Sequence, residues 1–287
     1  MKPAMRTLLN LAAVFLLLAW AAPATAEFAD YQGSKVYYQV MGQGEPALVL
    51  IHGWACDHTI WRLNAPGLAR KHKLVLVDMP GHGQSDKPRV AYTFDFLAGG
   101  VESAIKASGV KKPVLAGHSL GATIGRRVIV RQPGAVAGLI SVDGAFVDVP
   151  QDAEARAAWE KQSAERLAGF EKNFRTAMQP FVESMLGPAP KPELRNIVLA
   201  MTLSADARVA ISEGRAMSDP HNWRLEPIET PTLAMYVASQ FAPPGFVEHL
   251  KKLFPNLVCR RWEKVGHFFM MEQPDKFNAQ VEEFLAK

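Results

Sequence analysis

Lys112-Pro113-Val114-Leu115-Ala116-Gly117-His118-Ser119-Leu120-Gly121-Ala122-Thr123-Ile124 is the stretch on which the reading of this chain turns. An apolar run ends at Gly117, and a helical pattern, Leu120 to Val130, begins almost at once. A strand that passes so abruptly into a helix holds the residue at the bend in a strained backbone conformation. Small residues two before and two after that bend are needed to avoid clashes. Gly117 and Gly121 stand at those two places, with Ser119 between them. The bend lifts the hydroxyl clear of the sheet and sets it at a helix N-terminus, where free N–H groups and the helix dipole favour negative charge. Five letters of the form Gly-x-Ser-x-Gly occur often by chance. The strand before and the helix after make Ser119 a candidate nucleophile.

Outward from this bend the chain alternates between two patterns. Ala47 to Ile51, Leu74 to Val77, Val136 to Val142, Thr232 to Val237 and Leu257 to Trp262 are apolar runs or β-rich segments, and Lys35 to Val40 alternates. A continuous apolar run marks a strand covered on both faces. Helical patterns lie between, at about 59–70, 93–108, 120–132, 244–254 and 274–286. This order predicts βαβ units and an α/β fold with a mostly parallel, doubly wound sheet. From about Asp148 to Glu226 no strand pattern appears. Leu167, Phe170, Phe174, Met178, Phe181 and Met185 recur at spacings of three and four, one helical face, which Pro180 should kink or split. Further helical pattern runs from Glu193 to Met217. The expected organisation is a core of residues 27–147 and 227–287, with a helical cap, 148–226, inserted after the sixth strand.

A hydroxyl is a poor nucleophile at neutral pH and needs a base. His267, in Val265-Gly266-His267-Phe268 between the last strand pattern and the last helix, is the candidate. Acyl chemistry also needs two N–H groups aimed at one carbonyl oxygen. The loop His52-Gly53-Trp54, which closes the first buried strand, offers the Trp54 N–H, and the elbow offers that of Leu120. His52 itself reads as a structural histidine bonding its loop.

These markers together carry a resemblance. His52-Gly53-Trp54, DMPGHGQSDKP at 78–88, GHSLG at 117–121 and VGHFFMMEQPDKF at 265–277 resemble the α/β-hydrolase family over residues 28–147 and 228–287. The resemblance implies an eight-stranded, mostly parallel sheet and a Ser–acid–His triad. In most members the acid follows the seventh strand. Here the stretch Met235 to Pro244 contains no Asp or Glu. The family's other location is the end of the sixth strand, where this chain has Ser141-Val142-Asp143-Gly144. Asp143 is therefore the expected acid, with Asp148 as the alternative. An acid is required to hold the histidine tautomer and stabilise the imidazolium.

The resemblance implies a serine hydrolase acting on a carboxylic ester or thioester of a small to medium apolar molecule. Carbon–carbon bond hydrolysis with the same triad, or a ligand receptor on a hydrolase frame, stays open. Serine rather than aspartate at 119 argues against dehalogenase and epoxide-hydrolase chemistry. No cofactor is implied. No pair among His58, His82 and His118 has metal-ligand spacing on a helix, and Asp78 and Asp86 read as loop-shaping, so no metal site is expected. Met178, Met185, Met201 and Met217 of the cap suit either an adaptable acyl pocket or plain core.

Residues 1–26 stand apart. Lys2 and Arg6 precede an apolar run from Leu8 to Trp20 and the small-x-small site Ala24-Thr25-Ala26. This is the pattern of a secretory signal peptide cleaved after Ala26, implying a periplasmic or extracellular protein. The run is short of the roughly 20 residues that span a bilayer, so no stable membrane anchor is expected. Without these residues the formal charge falls from +4 to +2. No basic block with interleaved aromatics appears, which excludes a nucleic-acid partner from the expectations. Export makes a disulfide chemically feasible, yet Cys56 and Cys259 fall on well-separated parts of the expected sheet and read as two free, buried thiols.

Overall fold

In the computed structural model, which describes residues 25–239 and 242–287, the apolar runs pair into one sheet. Its strands are β1 (Thr25–Tyr31), β2 (Ser34–Met41), β3 (Leu48–Ile51), β4 (Leu74–Val77), β5 (Val114–His118), β6 (Gly138–Val142), β7 (Thr232–Val237) and β8 (Leu257–Trp262). The core helices are α1 (Ala65–Leu68), α2 (Phe94–Ala107) and α3 (Leu120–Arg131). Four more lie between β6 and β7: α4 (Ala153–Lys172), α5 (Phe174–Met185), α6 (Pro192–Leu203) and α7 (Ala207–Ser218). The chain closes with α8 (Phe246–Leu253), α9 (Phe269–Glu272) and α10 (Pro274–Leu285).

The eight strands lie in the order β1-β2-β4-β3-β5-β6-β7-β8. β2 pairs antiparallel with both of its neighbours, and every pairing from β4 to β8 is parallel. The four residues of β3 and the four of β4 are all buried, which is why they read as unbroken apolar runs rather than alternating ones. Two apolar layers cover the sheet. Leu97 and Val101 of α2, Ile124 and Val128 of α3 and Leu250 of α8 pack on one face. Trp61, Leu68, Phe269, Phe277 and Val281 pack on the other. The doubly wound order reverses at β3, which lies between β4 and β5. In such sheets the strand ends beside that reversal leave a crevice, the usual place for a ligand.

Three local features differ from expectation. β1 was not legible as a strand because only Ala29 of its seven residues is buried, so it carries no alternation. It joins β2 through Gln32 and Gly33, both at positive φ, as a two-residue hairpin turn with the strands' own twist requires. β1 starts at Thr25, two residues ahead of the expected core boundary; the rest of the signal-peptide segment, residues 1–24, lies outside the described residues. The cap stripe from Leu167 to Met185 does break, but at Asn173 rather than at Pro180. The Asn173 side chain accepts the Thr176 N–H and caps a new helix, whereas exposed Pro180 sits inside α5. The pattern from Glu193 to Met217 is likewise two helices, parted at Ser204–Asp206, where Asp206 accepts from the backbone N–H groups of Arg208 and Val209.

Both cysteines are free: Cys56 is buried, and Cys259, in β8, is only half-buried. Among the described residues no helix is long and apolar enough to cross a membrane.

Candidate active site

β5 and β6 run parallel with His118 opposite Val142, so the next residue of each strand, Ser119 and Asp143, leaves the sheet at adjacent points. Neighbouring strands are about 4.8 Å apart. Both residues hold positive φ, 53° at Ser119 and 44° at Asp143, a conformation non-glycine residues avoid. Two backbone bonds over-determine these bends. The Ser119 N–H donates to the Val142 carbonyl at 2.9 Å, and the Asp143 N–H donates to the Met235 carbonyl at 2.7 Å. The glycines around Ser119 are a matter of space. A Cβ on Gly117 would meet the Gly121 carbonyl oxygen at 2.3 Å, and one on Gly121 would meet the His52 carbonyl oxygen at 2.4 Å. The elbow can therefore close only on bare backbone.

His267 leaves the chain after β8 and is held at three points. Its Nδ1 lies 2.6 Å from Asp143 Oδ2. Its backbone N–H donates to the Met185 carbonyl, at the end of α5, at 2.8 Å. Its carbonyl accepts the His118 Nε2–H at 3.1 Å. The other oxygen of Asp143 accepts the Val237 N–H at 2.9 Å, so each carboxylate oxygen receives a donor. Asp143 and His267 are thus the predicted pair brought together across 124 residues of sequence. Asp148 lies elsewhere: its carboxylate is mostly exposed and faces His249 Nδ1 at 3.5 Å.

His118 is fully buried and donates through Nε2 to a carbonyl, so its Nδ1 is left as an acceptor. Burial, reinforced by the neighbouring His267, holds its pKa well below the usual histidine range and keeps the ring neutral. His52 is buried as well. Its Nδ1 donates to the Gly53 carbonyl at 2.8 Å and its Nε2 accepts the Met79 N–H at 3.0 Å. Burial, then the nearby His82, lower its pKa to about 4. His52 is a strut between two loops, as its sequence position suggested.

Trp54 and Leu120 follow the ends of β3 and the elbow. Among the described residues neither backbone N–H donates to another backbone group. The Trp54 indole is itself pinned: its Nε1–H donates to the Ala210 carbonyl of α7 at 2.9 Å, and its ring meets Phe170 and Phe181 edge to face. The loop that carries the Trp54 N–H is therefore seated on the cap.

Ser119, Asp143, His267 and Trp54 all open on one cavity of about 790 Å³ between the strand ends and the cap. Met178, Met185 and Met217 line it, whereas Met201 faces a separate, smaller cleft. Beside that cleft the ligand atoms of Asp57, His58 and Asp78 come within 4.8 Å of one another. Both oxygens of Asp78 and one of Asp57 are committed to the loops. Asp78 accepts the N–H groups of His58 and Gln84 and faces the His58 ring, while Asp57 caps Thr59. This trio, like Asp86, which accepts the Lys35 N–H, shapes the turn. Next to it a buried ion pair, His82–Glu213 at 3.2 Å, ties the 78–86 turn to α7. Burial alone would lower the His82 pKa, but the Glu213 carboxylate, joined by the Pro80 carbonyl and Asp78, outweighs it and raises the value.

Sequence reasoning did not find the Met185 carbonyl, the Val237 N–H or the Ala210 carbonyl as parts of the site. All are backbone groups, so no side-chain pattern could flag them. Gly187 has the same kind of role. A Cβ there would meet the Gly266 nitrogen at 2.8 Å, so the cap and the base loop touch backbone to backbone.

Comparison with known proteins agrees with this architecture. A family model described as the alpha/beta hydrolase fold matches residues 46–274. The chain is 26% identical over 254 residues to the AB hydrolase superfamily protein YisY of Bacillus subtilis (strain 168), covering 87% of this chain and 94% of that protein. It is 27% identical over 277 residues to the pimeloyl-[acyl-carrier protein] methyl ester esterase of Serratia marcescens, covering 88% of this chain and 99% of that one. An esterase from Exiguobacterium antarcticum superposes with a TM-score of 0.82 at 19% identity, over 92% of this chain and all of that structure. A match that spans most of the chain, on a sheet of this order with its bend at Ser119, establishes that the protein belongs to the alpha/beta hydrolase fold family.

Proposed function

We propose that this protein is a serine hydrolase that cleaves a carboxylic ester or thioester of a small to medium apolar substrate through an acyl-enzyme. The observation that carries the reading is the 2.6 Å Asp143–His267 pair opening on the same cavity as a strained Ser119. In this reading Asp143 keeps the proton on His267 Nδ1, so that Nε2 can accept the Ser119 proton as Oγ attacks the carbonyl carbon. The negative charge that develops on the carbonyl oxygen is received by the N–H groups of Trp54 and Leu120. His267 then gives its proton to the leaving alkoxide or thiolate. Water, deprotonated by the same histidine, releases the acid. The neutral His118 lets a single imidazolium form beside it without a second positive charge. Phe170, Phe181, Met178 and Val182 on the cavity wall suit an apolar chain. The esterase names of the Serratia marcescens relative and the Exiguobacterium antarcticum structure point the same way.

Sustained turnover of a 4-nitrophenyl ester series, lost in Ser119→Ala, tests the proposal. A receptor on this frame would label with a fluorophosphonate and stop there. Turnover that survives in Ser119→Ala would remove the nucleophile assignment. We further propose export, with cleavage after Ala26. That cut leaves Glu27–Tyr31 paired with β2, including the Glu27 carboxylate that accepts from Tyr38 at 2.7 Å. N-terminal sequencing of the mature protein reads the cut directly; an intact Met1 would refute it.

A further inference from the structure

α4 lays one stripe along the cavity: Trp159, Gln162, Ser163, Arg166, Leu167 and Phe170. Phe170, at its inner end, meets the Trp54 indole with ring centroids 5.0 Å apart, beside the proposed oxyanion site. Arg166 stands one turn further out, about 6 Å along the axis, and Gln162 about 12 Å. Leu167 and Phe170 thus lie nearest the Trp54 loop, Arg166 and Gln162 lie further along the helix, and Trp159 lies beyond them.

Four cations lie on α4, and the exposed Arg166 is the one that lines the cavity, whereas Lys172, at the end of the helix, is also without an ion pair among the described residues. Arg156 faces Glu160 at 3.0 Å and Lys161 faces Glu165 at 4.0 Å. Among the described residues Arg166 has no hydrogen bond and no carboxylate within ion-pair reach. The other charged groups lining the cavity are Asp143, bonded to His267, and Asp148, mostly exposed beside His249. An unpaired guanidinium presents a rigid fork of donors that matches a carboxylate. We infer that Arg166 selects substrates that carry a carboxylate remote from the scissile bond, separated from it by an apolar segment that lies along Leu167 and Phe170. This inference rests on the ester-hydrolase reading and names the substrate class for that site.

The test compares matched ester pairs. One pair places the charge on the acyl side: 4-nitrophenyl hydrogen adipate against 4-nitrophenyl hexanoate. The other places it on the leaving group: 4-carboxyphenyl hexanoate against phenyl hexanoate. The quantity read is the anionic-to-neutral ratio of kcat/KM, measured in wild type, Arg166→Gln, Arg166→Lys and Asp148→Asn. In at least one pair Arg166→Gln should lower the ratio by about 10- to 100-fold, the range of a charge-assisted hydrogen bond. Arg166→Lys should fall between, because it keeps the charge and loses the fork. Asp148→Asn should raise the ratio, and added salt should lower it in wild type. A ratio within twofold of wild type in Arg166→Gln, for both pairs, overturns the inference while leaving ester hydrolysis intact. Failure of wild type on all four esters overturns the hydrolase reading and this inference with it.

Discussion

Replacing Asp143 by asparagine is the perturbation that exposes the proposed mechanism most directly. The carboxylate receives a donor on each oxygen, His267 Nδ1 on one and the Val237 N–H on the other. Asparagine has one oxygen and one NH₂. If the oxygen faces His267, the NH₂ confronts the Val237 N–H and both donors are orphaned, at about 1–3 kcal/mol each. If the oxygen faces Val237, the NH₂ faces Nδ1. The ring then relaxes by moving its proton to Nε2, and no donor is left orphaned. That second arrangement should win, and it removes the lone pair that would accept the Ser119 proton. Restoring the productive tautomer orphans those two donors again, at about 2–6 kcal/mol by the same figures. The lost negative charge adds to this: a unit pair near 4 Å at an effective dielectric of about 20 is worth about 4 kcal/mol. Together these amount to about 6–10 kcal/mol, or roughly 10⁴- to 10⁷-fold in kcat. The same exchange in the serine-protease triad costs about 10⁴. The assay is kcat on 4-nitrophenyl butyrate, with folding checked by thermal denaturation and active sites counted in wild type by the acyl burst. A drop under tenfold in a folded variant would refute the argument. A severe loss in Asp148→Asn instead would move the acid to Asp148.

Three further outcomes follow from the geometry. Gly187→Ala should push the base loop through its backbone contact with Gly266 and lower kcat by about 10- to 100-fold with little change in KM, since sub-ångström to 1 Å misplacement costs that much; a kcat within twofold of wild type would show that this seam does not position His267. Stability should fall as the pH drops from about 6.5 towards 4. His52, whose pKa is lowered to about 4, stays neutral in the folded state while the unfolded chain binds a proton, which removes about 3 kcal/mol by pH 4. His118 adds to this with the same sign, whereas the contribution of Asp78, held low against its own burial by His58, is lost only below about pH 4. Urea denaturation at pH 7 and 4.5 reads the difference, and equal stabilities would mean that these histidines take up protons without unfolding. Trp54→Phe keeps the ring between Phe170 and Phe181 but removes the donor to Ala210. It should cost about 1 kcal/mol and lower Tm by about 2–4 °C, as followed by calorimetry, and an unchanged Tm would mean the cap does not hold the loop through that bond.

What could be read in the chain follows from where the information is local. β3 and β4 announce themselves because both faces are covered, so every residue is apolar. The bend at Ser119 is legible because its clearances demand glycine at two fixed places. The fold family and the candidate nucleophile and base therefore stand in contiguous residues. β1 is silent because its exposed side chains carry no alternation; what holds it is the backbone ladder to β2. The cap's single apolar stripe hides two helices, because one capping side chain at Asn173 outweighs an exposed proline seven residues later.

The linear sequence by itself determined the order of strands β2 to β8, the elbow and the absence of an acid after β7, since periodicity and steric allowance act within a few residues. Only the tertiary structure decided which acid meets His267. Asp143 reaches it because β6 lies beside β5 and β7, which puts the Val237 N–H on one carboxylate oxygen and the histidine on the other. It also decided that the cap holds the base and seats the Trp54 loop, through the carbonyls of Met185 and Ala210. Such couplings are made by backbone groups, which every residue carries alike, so no arrangement of side chains along the chain could have announced them.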